Sequence, residues 1–334
     1  MAKIKVGVLR GGPSAEHDVS LKTGENILAG LSDKYQGVDV VLNKDGQLCA
    51  DGSPAKIQHL GCFSDVIFNA LHGYFGEDGK AQQIFNVLNI PYTGSGALAS
   101  SLAMNKILSR GIFAKAGLKI PQAVVVKKDE SLEQAALKVF RSISPSWVVK
   151  PASGGSSIGV SIVKDFNSLI SAIEKSFNFC SNVIIEEYIK GREVTCGILE
   201  NFRGEKYYAL PAIEIVPPDD HDFFDYDVKY DGSTREICPA DFELSVKRKI
   251  EEIARQAHQL LGCSGYSRAD MIVAGRGIYP VRGNPAEVYL LEINTLPGLT
   301  SESLLPKAAD AVGLSFPQLL DHIIDLALNK SRNL

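Results

Sequence analysis

No Cys-x-x-Cys pair occurs in this sequence. Its cysteines (Cys49, Cys62, Cys180, Cys196, Cys238 and Cys263) stand far apart. Thiols spaced in this way exclude a compact zinc site and a disulfide framework, and they read as reduced core residues. Basic charge is not in excess either: 39 acidic side chains face 35 basic ones, for a net charge of −4. A chain so balanced offers no positive field to nucleic acid. No apolar run approaches the roughly 18–20 residues that a membrane helix needs. Met1 to Leu9 pass straight into a strand pattern without a charged–apolar–small export signal. A cytoplasmic location with no membrane partner is therefore expected. Internal repeats and low-complexity tracts are missing. So is the common phosphate loop G-x-x-x-x-G-K-[ST]: the nearest approach, Gly73 to Gly79-Lys80, has the wrong spacing and runs into Ala81.

What remains is an ordinary globular composition, 45% hydrophobic and 22% charged over 334 residues, long enough for two or three domains. Short apolar strands (Lys5–Leu9, Val38–Leu42, Val66–Leu71) alternate with helical patterns near Ser20–Leu31 and Ala81–Leu88. That alternation predicts a parallel α/β sheet with binding loops at the carboxyl ends of its strands. Gly94 to Ala99 loosely fits G-x-G-x-x-A, but a helix-entry turn explains it better. One helix is predicted over Ser100–Ala116. A small α+β unit follows, with strands Trp147–Lys150 and Val183–Glu187 around the helix Phe166–Phe177. The last third predicts strands at Glu193–Leu199, Tyr207–Ile215, Ala269–Val273 and Val288–Ile293, a helix from Phe242 to Leu261, and a polar loop over 217–235. Residues 274–287, rich in Gly and Pro, read as an elongated hairpin connection.

The most informative stretch is 288–303. Glu292 and Asn294 are two residues apart on a strand and leave the same face, while Leu291 and Ile293 fill the other. A carboxylate beside an amide oxygen suits a hard cation such as Mg²⁺; an ordinary buried strand with a wet end fits as well. Arg268-Ala-Asp270 opens the strand expected to pair with it. Asp270 would then face Glu292 and Asn294, and two close carboxylates repel unless a cation or proton intervenes. A local Arg268–Asp270 salt bridge is the alternative. In Val148–Gly159 a strand ends at Lys150 and continues as Ala-Ser-Gly-Gly-Ser-Ser. Such a loop can wrap phosphate oxygens with backbone amides and hydroxyls, or it is a surface turn beside a solvated lysine. In Ile184–Thr195, Glu186 and Glu193 flank a turn that suits either a nucleoside or a charged interdomain hinge.

Arg10-Gly-Gly-Pro-Ser-Ala-Glu-His-Asp-Val-Ser20, Leu71-His-Gly-Tyr-Phe-Gly-Glu-Asp-Gly79 and Leu291-Glu-Ile-Asn-Thr-Leu-Pro-Gly-Leu-Thr-Ser301 occur in that order, with the Lys150 loop between them. Together they resemble the ATP-grasp superfamily and, within it, the D-alanine–D-alanine ligase family. The resemblance implies a three-domain α/β and α+β ATP-grasp fold with an N-terminal Rossmann-like parallel sheet, divided at 1–98, 99–188 and 189–334. It implies that Lys106 and Lys150 bind ATP phosphates, with Ser157 and Lys229 also on ATP. Glu186, Glu193 and the backbone at Tyr188–Ile189 would hold adenine and ribose. Asp270, Glu292 and Asn294 would hold two Mg²⁺ ions, with Mn²⁺ as a substitute. Glu16 would orient the ammonium of the first D-alanine, with His72 nearby. Ser156 would lie in a closing loop and Tyr230 in a covering one. Arg268, Ser303 and the Gly298 amide would hold the second D-alanine and the developing oxyanion. A homodimer is the family expectation.

Two features depart from the resemblance: the connection 274–287 is long, and His17 follows Glu16 where some relatives carry a basic residue. Ligation of D-alanine to D-lactate or D-serine remains the alternative, with Tyr230 arguing against lactate. A non-catalytic ATP-binding module would lack at least one of Asp270, Glu292, Asn294 and Arg268, and all four are present.

Overall fold

The computed structural model describes residues 3–155, 158–218, 234–275 and 286–332. Its first sheet contains β1 (Ile4–Gly11), β2 (Tyr35–Leu42), β3 (Leu48–Ala50), β4 (Ser53–Ala55) and β5 (Val66–Asn69), in the order β4-β3-β2-β1-β5. β1 pairs in parallel with β2 and with β5, as the alternation of apolar strands and helices predicts. Helices α1 (His17–Gly30), α2 (Leu60–Phe63) and α3 (Lys80–Val87) accompany these strands. The short β3 and β4 escape the sequence pattern and add an antiparallel edge, so the sheet is mixed.

The helix expected over Ser100–Ala116 is two helices, α4 (Ala97–Met104) and α5 (Lys106–Lys115). Asn105 breaks them with an extended backbone, and its side chain caps α5 by accepting from the Ile107 and Leu108 amides at 3.1 and 3.2 Å. The freed backbone is used elsewhere: the Lys106 amide donates to the Ala152 carbonyl at 2.8 Å. Gly96 caps α4, so the Gly94–Ala99 stretch is a helix entry.

The central sheet holds β6 (Ala123–Lys127), β7 (Trp147–Pro151), β8 (Ser161–Val163) and β9 (Asn182–Glu187), antiparallel throughout in the order β6-β9-β7-β8. Helices α6 (Leu132–Ser142) and α7 (Phe166–Ser176) share its core. β6, β8 and α6 were not read from the sequence. Trp147 is fully buried there and donates its indole N–H to the Ile143 carbonyl at 2.9 Å. Trp147→Ala is expected to cost about 3–5 kcal/mol of stability. Urea unfolding checks this, and a loss below about 1 kcal/mol would contradict the packing role.

The third sheet runs β13 (Arg235–Ile237), β12 (Ile213–Val216), β10 (Arg192–Phe202), β14 (Tyr266–Ala274), β15 (Glu287–Asn294), with β11 (Glu205–Ala209) also paired to β10. The strand expected over Tyr207–Ile215 is therefore two, separated around Pro211, which has no N–H for a ladder. Helix α8 (Leu244–Leu260) packs on this sheet. After β15 come α9 (Leu304–Asp310) and α10 (Phe316–Arg332), neither of them read from the sequence. Leu319, Leu320, Ile323 and Ile324 of α10 join one apolar core with Val6, Val8, Ile27 and Phe68 of the N-terminal layer. That same core includes Ile213, Ile215 and Tyr266 of the third sheet, so the last helix ties the first sheet to the third. All six cysteines are free thiols, but only Cys196 and Cys263 are buried. Burial pushes both of these thiols up to about 12.

Candidate active site

Two neighbouring cavities gather most of the candidate residues. The smaller, about 150 Å³, has Val148 and Ile162 of the central sheet, Ile272 and Leu291 of the third, and Val160 and Ile189 of connecting segments among its walls. Lys150, Glu186 and Glu193 also line it. The larger, about 720 Å³, is lined by Glu16, His72, Arg268, Asn294, Gly298 and Ser303. Lys106, Gly154, Gly155 and Glu292 line both, so the two cavities meet at this group.

The registry of β14 against β15 assembles the acidic face. Asp270 stands opposite Glu292, and Arg268 opposite Asn294, with a bulge just after Asp270. Asp270 accepts a fork from Arg268 at 2.9 and 2.8 Å and the Thr195 hydroxyl at 2.7 Å. The salt bridge read from Arg268-Ala-Asp270 is present, and the register also sets Asp270 across from Glu292, as the strand pairing predicts. Burial works against the Arg268 charge, but Asp270, with weaker help from Glu292 and Glu77, outweighs it and raises the guanidinium's pKa. Glu292 pairs with Lys106 at 3.0 Å, and Lys106 also donates to the Gly154 carbonyl at 2.8 Å. The Asn105 break is what puts Lys106 at a helix start facing this strand. Asn294 Oδ1 accepts the Leu296 amide at 2.8 Å. Among the described residues no three His, Cys, Asp or Glu side chains converge as a metal-holding group. The donor set on this face is two opposed carboxylates and an amide oxygen.

On the substrate side, Glu16 precedes α1 and is buried. A Cβ on Gly73 would fall 2.5 Å from Glu16 Oε2, and one on Gly155 would fall 3.4 Å from it. The His72 turn and the Gly/Ser loop thus both close on Glu16. Gly73 has φ +67°, so a side chain there is strained as well as crowded. His72 pairs through Nε2 with the Thr23 hydroxyl at 2.9 Å and lies 3.4 Å from Glu77, which also accepts the Gly73 amide at 3.0 Å. His17 is turned away from this group: its Nδ1 meets the Gly12 carbonyl at 2.6 Å and braces the preceding loop. Ser303 Oγ accepts the Thr300 amide at 3.0 Å and would lie 2.8 Å from a Gly298 Cβ, so these two residues form one tight turn.

Ser156, Ser157, Lys229 and Tyr230 lie outside the described residues, as do most of the loop over 217–235 and of the connection 274–287. Glu186 differs from the simple expectation of a nucleoside contact: it is buried, and its two oxygens are engaged by Lys150, at 2.8 Å, and by Arg110. Sequence reasoning missed Arg110 beside Glu186, and Glu77, Thr23 and Lys307 in the wall of the larger cavity. Glu77 sat inside a quoted motif without a role. Arg110 gave no signal beyond helical spacing from Lys106.

A narrow cavity between two antiparallel sheets, bounded by a lysine-bearing Gly/Ser loop on one side and a carboxylate strand on the other, defines the ATP-grasp class. Residues 112–325 match the family described as D-ala D-ala ligase C-terminus, and residues 51–95 that described as D-ala D-ala ligase N-terminus. A D-alanine–D-alanine ligase of Syntrophobacter fumaroxidans is 42% identical over 98% of each chain. The solved D-alanine–D-alanine ligase of Bacillus anthracis complexed with ATP is 35% identical, covers 99% of each chain and superposes with a TM-score of 0.79. A D-Ala:D-Ser ligase of Enterococcus faecalis (VanG) is 30% identical with a TM-score of 0.83, over 98% of this chain and 100% of that one. This chain belongs to the D-alanine–D-alanine ligase family, and it is a ligase with the three-domain ATP-grasp fold. No helix among the described residues is long and apolar enough to cross a membrane.

Proposed function

We propose that this chain joins two D-alanine molecules to D-alanyl-D-alanine for cell-wall precursor synthesis, consuming one ATP. The observation that carries the reading is the meeting of the two cavities at Lys106, Gly154, Gly155 and Glu292. Adenine fits the apolar walls of the smaller cavity, so the phosphates run toward Lys150 and Lys106. The two amino acids occupy the larger, polar one. A carboxylate oxygen of the first D-alanine attacks the γ-phosphorus, the bond to ADP breaks, and an acyl phosphate forms. The amine of the second D-alanine then attacks the acyl carbon, gives up a proton, and inorganic phosphate leaves.

This chemistry is mostly positioning and charge neutralisation. Lys150 and Lys106 meet the phosphoryl oxygens. Glu16 holds the first ammonium, with His72 and Glu77 shaping that wall. Arg268 and the Gly298 amide face the oxyanion of the second step, and Ser303 holds the turn that presents the amide. By the family resemblance, Ser157 and Lys229 serve ATP, Ser156 belongs to the Gly/Ser loop, and Tyr230 bears on the choice of second substrate. Glu193 serves the ribose. Asp270, Glu292 and Asn294 form an oxygen set that fits two Mg²⁺ ions, or Mn²⁺ in their place, because hard cations take carboxylate and amide oxygens and keep positions for phosphate. Bound ions would neutralise phosphoryl charge. The domain divisions at 98/99 and 188/189, a cytoplasmic location and a homodimer complete the proposal.

Coupled ADP release with Mg-ATP tests it: D-alanine is expected to give turnover, and L-alanine none. Product analysis with D-alanine plus D-lactate or D-serine near neutral pH is expected to show dipeptide of D-alanine as the main product. Turnover on L-alanine, or predominant ester, would overturn the assignment.

A further inference from the structure

Arg110, Glu186 and Lys150 form a buried cluster of charges contributed by α5, β9 and β7. Relative exposures are 8% for Arg110, 2% for Glu186 and 7% for Lys150. Lys150 Nζ lies 2.8 Å from Glu186 Oε2, while Arg110 pairs with Glu186 Oε1. Arg110 also donates to the carbonyl of Pro121. Pro121, Lys150 and Glu186 line the smaller cavity, and Arg110 does not. Arg110 follows Lys106 by one helical turn, so a single face of α5 carries the lysine at the meeting of the cavities and the arginine behind Lys150.

We infer that Arg110 is a positioning residue for the phosphate-binding lysine, acting through Glu186. A lone Glu186–Lys150 pair would be neutral, and a buried carboxylate would draw the ammonium inward and cancel its field at the cavity. With Arg110 on the other oxygen, the cluster carries two cations and one anion. Its surplus positive charge lies at Lys150, the one cation of the three groups that lines the cavity. Buried charges act through a low dielectric, so this surplus reaches an anionic ligand with little screening. Glu186 is in this account the counter-ion that fixes Lys150. The inference rests on the reading of the smaller cavity as the ATP site.

Charge balance supplies the test. Arg110→Leu makes the cluster neutral, and Arg110→Leu with Glu186→Gln restores a net single positive charge on Lys150. In the full chain, the dissociation constant of Mg-AMPPNP by calorimetry is expected to rise about tenfold or more in Arg110→Leu and to recover to within about threefold of the parent in the double variant. The inhibition constant of adenosine, which has no phosphate, is expected to stay at the parent value in Arg110→Leu. Lys150→Met serves as the control on the underlying reading and is expected to weaken the nucleotide as Arg110→Leu does. An unchanged affinity in Lys150→Met would overturn the phosphate assignment itself. A weakened Lys150→Met together with an unaffected Arg110→Leu, an equal loss of adenosine binding, or a double variant no tighter than the single one would overturn the role of Arg110 and leave the site standing. If Arg110→Leu does not fold, as circular dichroism reports, Arg110→Lys decides: it keeps the charge but not the fork. It is expected to hold nucleotide affinity within about threefold of the parent, and a tenfold loss would overturn the inference.

Discussion

Arg268→Ala is expected to lower kcat for ligation by about 10²–10³. The residue stands on β14 opposite Asn294, with its fork locked onto Asp270 and its edge on the larger cavity. A fixed cation aimed at a developing oxyanion acts only once charge has formed there, so its removal slows the second step rather than weakening ground-state binding. The first step should persist. Rapid-quench measurement of ADP formation is expected to show a burst of about one equivalent per site with dipeptide formation slowed. Asp270 keeps only the Thr195 hydroxyl in this variant, and a half-buried carboxylate that loses its cation destabilises. Arg268→Lys therefore belongs beside it: a point charge in place of a planar fork keeps the fold but not the geometry, and kcat is expected to stay well below the parent. A near-parent kcat in Arg268→Ala would refute the assignment.

Glu292→Gln is expected to abolish measurable turnover, with a loss of at least about 10²-fold, because outer partners of metal sites alone are worth 10–100-fold. The substitution preserves shape while removing the charge that faces Asp270 and pairs with Lys106. Its thermal unfolding should match the parent closely, since the Lys106 pair is partly exposed and such pairs contribute little to stability. Activity against Mg²⁺ concentration is the decisive measurement. A metal ligand shows partial recovery at high Mg²⁺ or Mn²⁺, whereas a purely structural residue shows none. A variant with parent kcat at ordinary Mg²⁺ would remove Glu292 from the site.

Much of this site was legible in the chain because its chemistry is local. Glu292 and Asn294 share a face by the period of two of any strand, and Lys150 meets a flexible Gly/Ser loop within a few residues. The antiparallel pairing of β14 with β15 was predicted from pattern alone, and its register places Asp270 across from Glu292 as expected. Where one short residue redirects the chain, pattern failed. Asn105 caps a new helix inside an unbroken helical periodicity, and Pro211 divides one apolar run into two strands. Arg110 was invisible because its value depends on Glu186, 76 residues away on another element.

The sequence by itself determined the donor set: a lysine at a Gly/Ser loop, carboxylates and an amide on a strand, an arginine two residues before an aspartate. It also determined the parallel pairing of β1 with β2 and β5, since apolar strands alternating with amphipathic helices have few other ways to bury both faces. The tertiary structure decided which of these groups meet. Glu16 comes beside the Gly/Ser loop, and Lys106 beside Glu292, only after α5 has been broken from α4 and the sheets have been assembled around the two cavities. The last helix was decided at the same level. Its apolar face is an ordinary helical stripe, and only a core shared by Val8, Ile324 and Tyr266 shows that it bridges the first sheet to the third. Spacing along a chain fixes which faces are apolar. Which faces are buried against each other depends on shape and on the total apolar area removed from water, and that is a property of the assembled molecule.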